Sequence, residues 1–205
     1  MKKIIQVCLL TTSVVAAAQA ERESAEQHSL EQVVIIGSKA DAKAMAGSAF
    51  VIDSAEIEKF EYSDIHRLLR QVPGVYVQQE EGYGLRPNIG IRGAGGARSE
   101  KITLMEDGIL ISPAPYAGPS AYYFPTTGRM TSVEVLKGAE TVKYGPYTVG
   151  GAVNLISTPI PGESSGFLQS EVGEGGENRI HGWYGDSGDT VGWLLETYQH
   201  DADGF

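Results

Sequence analysis

The sequence predicts a small α+β unit, a mixed sheet with short helices, followed by a run of antiparallel strands. Three observations carry this reading. Short β-branched runs recur between Gly, Pro, Asn and Asp turns over residues 48–158. Two segments in the same stretch carry helix-start signals. Residues 163–205 then change character, to three alternating segments separated by Gly, Asp, Ser and Glu.

The elements follow in chain order. Lys2 and Lys3, an apolar core over 4–18 and the small-x-small site Ala18-Gln19-Ala20 predict an export signal peptide over residues 1–20. Its removal takes Cys8, the only cysteine. It also takes two of the 16 basic residues, leaving 14 against 26 acidic ones, a net charge of −12. An exported chain without thiols has no disulfide and no thiolate metal site. Residues 21–47 read as a tail and linker. Within them 31–38 is a β-branched run able to form a strand, and 39–47 is Ala-rich and polar. Two readings of that run stand level: an edge-pairing segment waiting for a partner, or the first strand of the next domain.

Residues 48–160 form the α+β unit. Ala49-Phe50-Val51-Ile52 is strand-like, and Asp53 with Glu56 resembles a capping pair that opens a helix. Ser63 is placed to cap a second helix in which Ile65, Leu68 and Leu69 share a face. Pro73-Gly74 ends that helix and Val75-Tyr76-Val77 begins a strand. Glu106-Asp107-Gly108, between apolar runs at 102–105 and 109–111, is a hairpin signal. Val133-Glu134-Val135-Leu136 and, after Gly150-Gly151, Ala152-Val153-Asn154-Leu155-Ile156 complete a small mixed sheet with its helices on one face. Beyond it, 167–172, 179–185 and 191–198 are strands with Trp183, Tyr184, Trp193 and Tyr198 near their ends. Aromatics so placed suit a transmembrane barrel, and an ordinary soluble sheet fits the pattern as well. Three strands cannot close a barrel, so these form a sheet or the sequence is a fragment.

Composition narrows the function classes. The 205 residues carry a net charge of −10, which argues against nucleic acid as a partner. No apolar run approaches the ~18 residues of a spanning helix, so a membrane role has to be built from strands. The histidines, at 28, 66, 181 and 200, lack metal-ligand spacing. Gly93-Ala94-Gly95-Gly96 with Arg98 lacks the phosphate-loop pattern. Glu80-Glu81 and Glu106-Asp107 read as solvated turn charges. No catalytic constellation, metal site or cofactor site emerges, and the chain reads as a non-enzyme.

Four motif blocks carry a resemblance. They are Leu68-Leu69-Arg70-Gln71-Val72-Pro73-Gly74-Val75, then Ile91-Arg92-Gly93, then Leu104-Met105-Glu106-Asp107-Gly108, and last Val133-Glu134-Val135-Leu136-Lys137-Gly138 through Tyr144-Gly145-Pro146 to Gly150-Gly151-Ala152-Val153-Asn154. In this order and spacing they resemble the plug domain of TonB-dependent outer-membrane receptors. Ala114-Pro115-Tyr116 leading to Phe124-Pro125 is most similar to ferric dicitrate receptors.

The resemblance implies an α+β plug domain over 48–160. Residues 161–205 would be the first strands of a transmembrane β-barrel of about 22 strands, cut short here. Val33, Val34, Ile35 and Ile36, within 31–38, are identified as the TonB box, which would pair with TonB of the inner-membrane energy-transducing complex. Arg92 and Glu134 would lock the plug against charged barrel-wall residues. Ligand contacts would come from loops 79–88, 94–101 and 112–123. Arg98, Lys101, Tyr116, Ser120, Tyr122 and Tyr123 are the candidates for holding an anionic ferric chelate. Dicitrate receptors present glutamines where this chain has Gly118 and Ser120. The implied setting is the outer membrane, with barrel strands in lipid and the plug and N-terminus on the periplasmic side. The tail between signal peptide and TonB box leaves no room for a signalling domain, which implies a transporter. A plug-like binding module without a barrel is the alternative, and a secreted α/β hydrolase lacks the nucleophile–base pair it would need.

Overall fold

The computed structural model describes residues 34–45, 47–60, 64–78, 84–95, 99–111, 124–145 and 148–203. The expected signal peptide and the tail as far as Val33 lie outside these residues. So do Ser63, Arg98, Tyr116, Ser120, Tyr122 and Tyr123. The described chain forms two compact units, one built on residues 32–158 and one on 159–172 and 178–199.

The first unit opens with helix α1 (Lys39–Ala44), strand β1 (Ser48–Ile52), and helices α2 (Ser54–Phe60) and α3 (Ile65–Leu69). Strands β2 (Val75–Gln78), β3 (Asn88–Ile91), β4 (Ile102–Glu106), β5 (Ile109–Leu110), β6 (Met130–Lys137) and β7 (Gly151–Ser157) follow. Five strands make one sheet in the order β1-β6-β7-β4-β5, and β2 and β3 form a separate two-stranded ribbon. Among the described strands of this sheet only β4 and β7 pair in parallel, so the sheet is mixed, as the sequence predicts.

Strand alternation divides the core in two. Ile52, Leu104, Val133, Val135, Val153 and Leu155 point to one face, under Ile57 of α2, Ile65, Leu68 and Leu69 of α3 and the β2–β3 ribbon. Val51, Met105, Leu136 and Ala152 point to the other, under Ile36 and Ala42. The expectation of helices on one face therefore needs correction. Helix α1, in the stretch expected as linker, covers the second face. Ser38 starts it by accepting the Asp41 N–H on its hydroxyl. Lys39 fastens it across to the turn after β1, 2.7 Å from Asp53 and 3.1 Å from Glu56.

Two further details refine the sequence reading. Asp53 caps α2 through the Glu56 N–H at 3.1 Å, as expected. The N-cap of helix α3 is Asp64, and Ser63, expected as its cap, lies outside the described residues. The Asp64 carboxylate accepts the His66 N–H at 2.8 Å and lies 2.6 Å from His66 Nδ1. A carboxylate at this position serves backbone and imidazole together. The 106–109 hairpin forms as predicted, with Asp107 at φ 49° and Gly108 at φ 75°, the two positive φ values of a type I′ turn.

The second unit is an antiparallel sheet of β8 (Ser165–Val172), β9 (Asn178–Ser187) and β10 (Gly192–Asp201), in the order β10-β9-β8. Its faces differ in kind. Leu168, Val172, Ile180, Tyr184, Trp193 and Leu195 are all exposed on one side, with the Tyr184 and Trp193 rings 5.7 Å apart. The other mixes charge with rings: Arg179 meets Glu171 at 2.9 Å, His181 Nε2 lies 2.9 Å from Glu196, and the His181 ring lies edge-on to Phe167 and Tyr198.

Candidate functional site

Residue 134 sits in the middle of β6, paired with Val51 of β1 and Asn154 of β7, and alternation turns it to the second face of the sheet. A carboxylate there is expensive unless every lone pair finds a donor. Glu134 is fully buried, and three of its four donors come from the segment 31–38 that holds the expected TonB box. Its Oε1 accepts the N–H groups of Ile36 at 2.8 Å and Gly37 at 2.9 Å. Its Oε2 accepts the N–H of Ile35 at 3.0 Å and Nδ2 of Asn154 at 2.9 Å. Three successive backbone N–H groups converging on one anion form a nest, closed by Gly37 at φ 87°.

This corrects the strand expected over 31–38. Its described part, residues 34–38, is not a strand. N–H groups of an extended chain point alternately to opposite sides, and so could not meet on one carboxylate. Ile36 is buried in the second core cluster, whereas Val34 is 40% exposed.

Asn154 completes the site. Its Oδ1 accepts the Gly108 N–H at 2.9 Å, so one carboxamide spans from Glu134 to the β4–β5 turn. Asp107 of the same turn accepts the Ser157 N–H at 3.0 Å and the Ser157 hydroxyl at 2.6 Å. The polar chain thus runs from residues 35–37 through Glu134 and Asn154 to the hairpin and the end of β7. Sequence reasoning quoted Asn154 within a motif and gave it no role. The signal lay in the strand alternation, which puts residues 134 and 154 on one face.

Arg92 follows β3 in a turn, with φ 53°, and its N–H donates to Gly74 O at 2.9 Å. Its guanidinium lies beside Gly138 and next to Lys137. Burial, and secondarily the Arg92 charge, hold the Lys137 ammonium below the ordinary lysine value, and Lys137 Nζ donates to Pro73 O at 2.7 Å. Among the described residues no carboxylate pairs with either cation. Glu134, expected as a second locking residue, has its carboxylate engaged by its own chain. Of the six expected ligand contacts only Lys101 is described; its side chain is half-exposed and 3.7 Å from Glu100. No three described His, Asp or Glu side chains gather as a metal site.

The family model described as TonB-dependent Receptor Plug Domain matches residues 41–152, more than half of the chain. The chain belongs to the TonB-dependent receptor plug family. Its α+β unit is a plug domain, and its antiparallel strands match the start of a TonB-dependent receptor barrel. The unliganded ferric citrate transporter FecA superposes with a TM-score of 0.65 at 26% identity, over 84% of this chain and 28% of that one. The siderophore receptor PirA from Acinetobacter baumannii gives 0.58 at 25% identity, over 82% and 26%. Among curated proteins, the vitamin B12 transporter BtuB of Photobacterium profundum is 28% identical over 76% of this chain and 25% of its own length. Its counterpart from Vibrio vulnificus is 32% identical over 54% and 18%. The plug and its strands thus span a quarter or less of these curated relatives. Members of the family are outer-membrane receptors and transporters and not enzymes.

Proposed function

We propose that this chain supplies the plug and opening barrel strands of an outer-membrane receptor that imports a ferric chelate, with energy delivered through TonB. The observation that carries the membrane part is the two-faced sheet. An apolar side with Tyr184 and Trp193 suits lipid, and the side with Glu171, Arg179, His181 and Glu196 suits a wet lumen. A plug-like module without a barrel is not favoured, because it gives that apolar face nothing to meet. The protein is exported by the signal peptide at 1–20, and the plug and N-terminus face the periplasm. There Val33, Val34, Ile35 and Ile36 add a strand to the TonB sheet, and traction displaces part of the plug. Arg92, with Lys137 beside it, locks the plug by meeting a carboxylate of the barrel wall.

The likeness to ferric citrate and siderophore receptors supports a ferric chelate as cargo, held with help from Arg98, Lys101, Tyr116, Ser120, Tyr122 and Tyr123. The B12 transporters among the relatives support a corrinoid as the second reading. Deletion of residues 31–38 tests the reading. Uptake of radioiron from ferric citrate or a siderophore is expected to stop while surface binding of the chelate survives. Uptake at the normal rate in the deletion strain contradicts it, and competition by excess cyanocobalamin favours the corrinoid.

A further inference from the structure

Residues 35–37 spend three consecutive backbone N–H groups on one carboxylate. A segment that adds a strand to another protein's sheet needs N–H groups for the new ladder. The two uses exclude each other. We propose that Glu134 is the latch of the TonB-contact segment and that Asn154 is its positioning residue, tying the latch to the β4–β5 turn. TonB then engages only those molecules in which residues 35–37 have left the carboxylate. The proposal rests on the reading of 31–38 as the TonB contact.

The geometry supports a latch over incidental packing. Glu134 is fully buried, and each of its oxygens has two N–H donors. When residues 35–37 depart, the Asn154 amide alone remains, and an under-solvated buried carboxylate draws the segment back. An amide of the same shape cannot do this, since its NH2 would face N–H groups in place of one oxygen. Asn154 holds the carboxylate by Nδ2 and the Gly108 N–H by Oδ1, each at 2.9 Å. Displacement of the β4–β5 turn therefore shifts the group that positions the latch, and a small bias there changes the released fraction.

The test uses the full-length protein in outer-membrane vesicles, with a nitroxide on Val34→Cys as reporter and unlabelled protein for binding. In the parent the label gives a motionally restricted spectrum. Glu134→Gln is expected to convert most of the signal to a mobile component and to tighten binding of the isolated periplasmic domain of TonB about tenfold. Gly37→Val covers failure of Glu134→Gln to fold. It lies on the exposed segment at φ 87°, where a β-branched residue is strained, and should release the label in the same direction. Restricted spectra and unchanged TonB affinity in both variants overturn the latch. A mobile label with no TonB binding by any protein overturns 31–38 as the TonB contact and the control of TonB with it, and leaves only the hold of Glu134 on residues 35–37.

Discussion

Asn154 donates its Nδ2 to Glu134 Oε2 at 2.9 Å across neighbouring strands, making the two side chains one buried polar unit on the sheet face that also carries Val51, Met105, Leu136 and Ala152. Both are fully buried, so neither can fall back on water.

Asn154→Leu is therefore expected to destabilise the plug by about 2–4 kcal/mol, since it strips one donor from Glu134 and orphans the Gly108 N–H. Hydrogen exchange of β6 and β7 should accelerate accordingly. Unchanged exchange in the variant would mean that the carboxamide contributes nothing net.

Asp64 gives a prediction with a pH sign. Burial pushes its carboxyl upward, but the hydrogen bonds and charge of His66 outweigh this and hold it below the ordinary aspartate value. A carboxyl with a lower pKa folded than unfolded stabilises fully above the unfolded value and loses that contribution as pH falls through the folded one. The loss lies below about pH 4. Asp64→Ala should cost about 1–2 kcal/mol at neutral pH through the lost α3 cap. Asp64→Asn should keep most of the cap and remove this acid step, read by denaturant titration at pH 7 and pH 3.

On the β8–β10 sheet, neighbouring residues should behave in opposite ways. Leu195 is 72% exposed on the apolar side, and Leu195→Arg is expected to cost about 2–4 kcal/mol near the bilayer midplane and to block membrane assembly. Glu196→Gln, on the charged side, should assemble normally and lose only the charge that faces His181. A folded, heat-modifiable band on gel electrophoresis reads both. Normal assembly of Leu195→Arg would argue against lipid at that face.

Much of the fold was legible because its signals are local. The β-branched runs mark β1, β4, β6 and β7, and Asp107-Gly108 marks its turn. Helix α1 was hidden because its six residues, KADAKA, show little apolar pattern, although Ser38 and Asp41 announce its start. The site was hidden for a different reason. Glu134 and Ile36 lie 98 positions apart, and nothing local to either says that a carboxylate in a strand will gather the N–H groups of a distant β-branched run. Val33-Val34-Ile35-Ile36 has strand propensity, but the buried charge of Glu134 outweighs it and folds the described part into a nest.

The most direct test of this account is amide hydrogen exchange at Ile35, Ile36 and Gly37 in the full-length protein without TonB or transported ligand. The account predicts marked protection in the parent and exchange near the unstructured-peptide rate in Glu134→Gln, with β6 still protected. Exchange at the unstructured rate in the parent, or equal protection in both proteins, would contradict it.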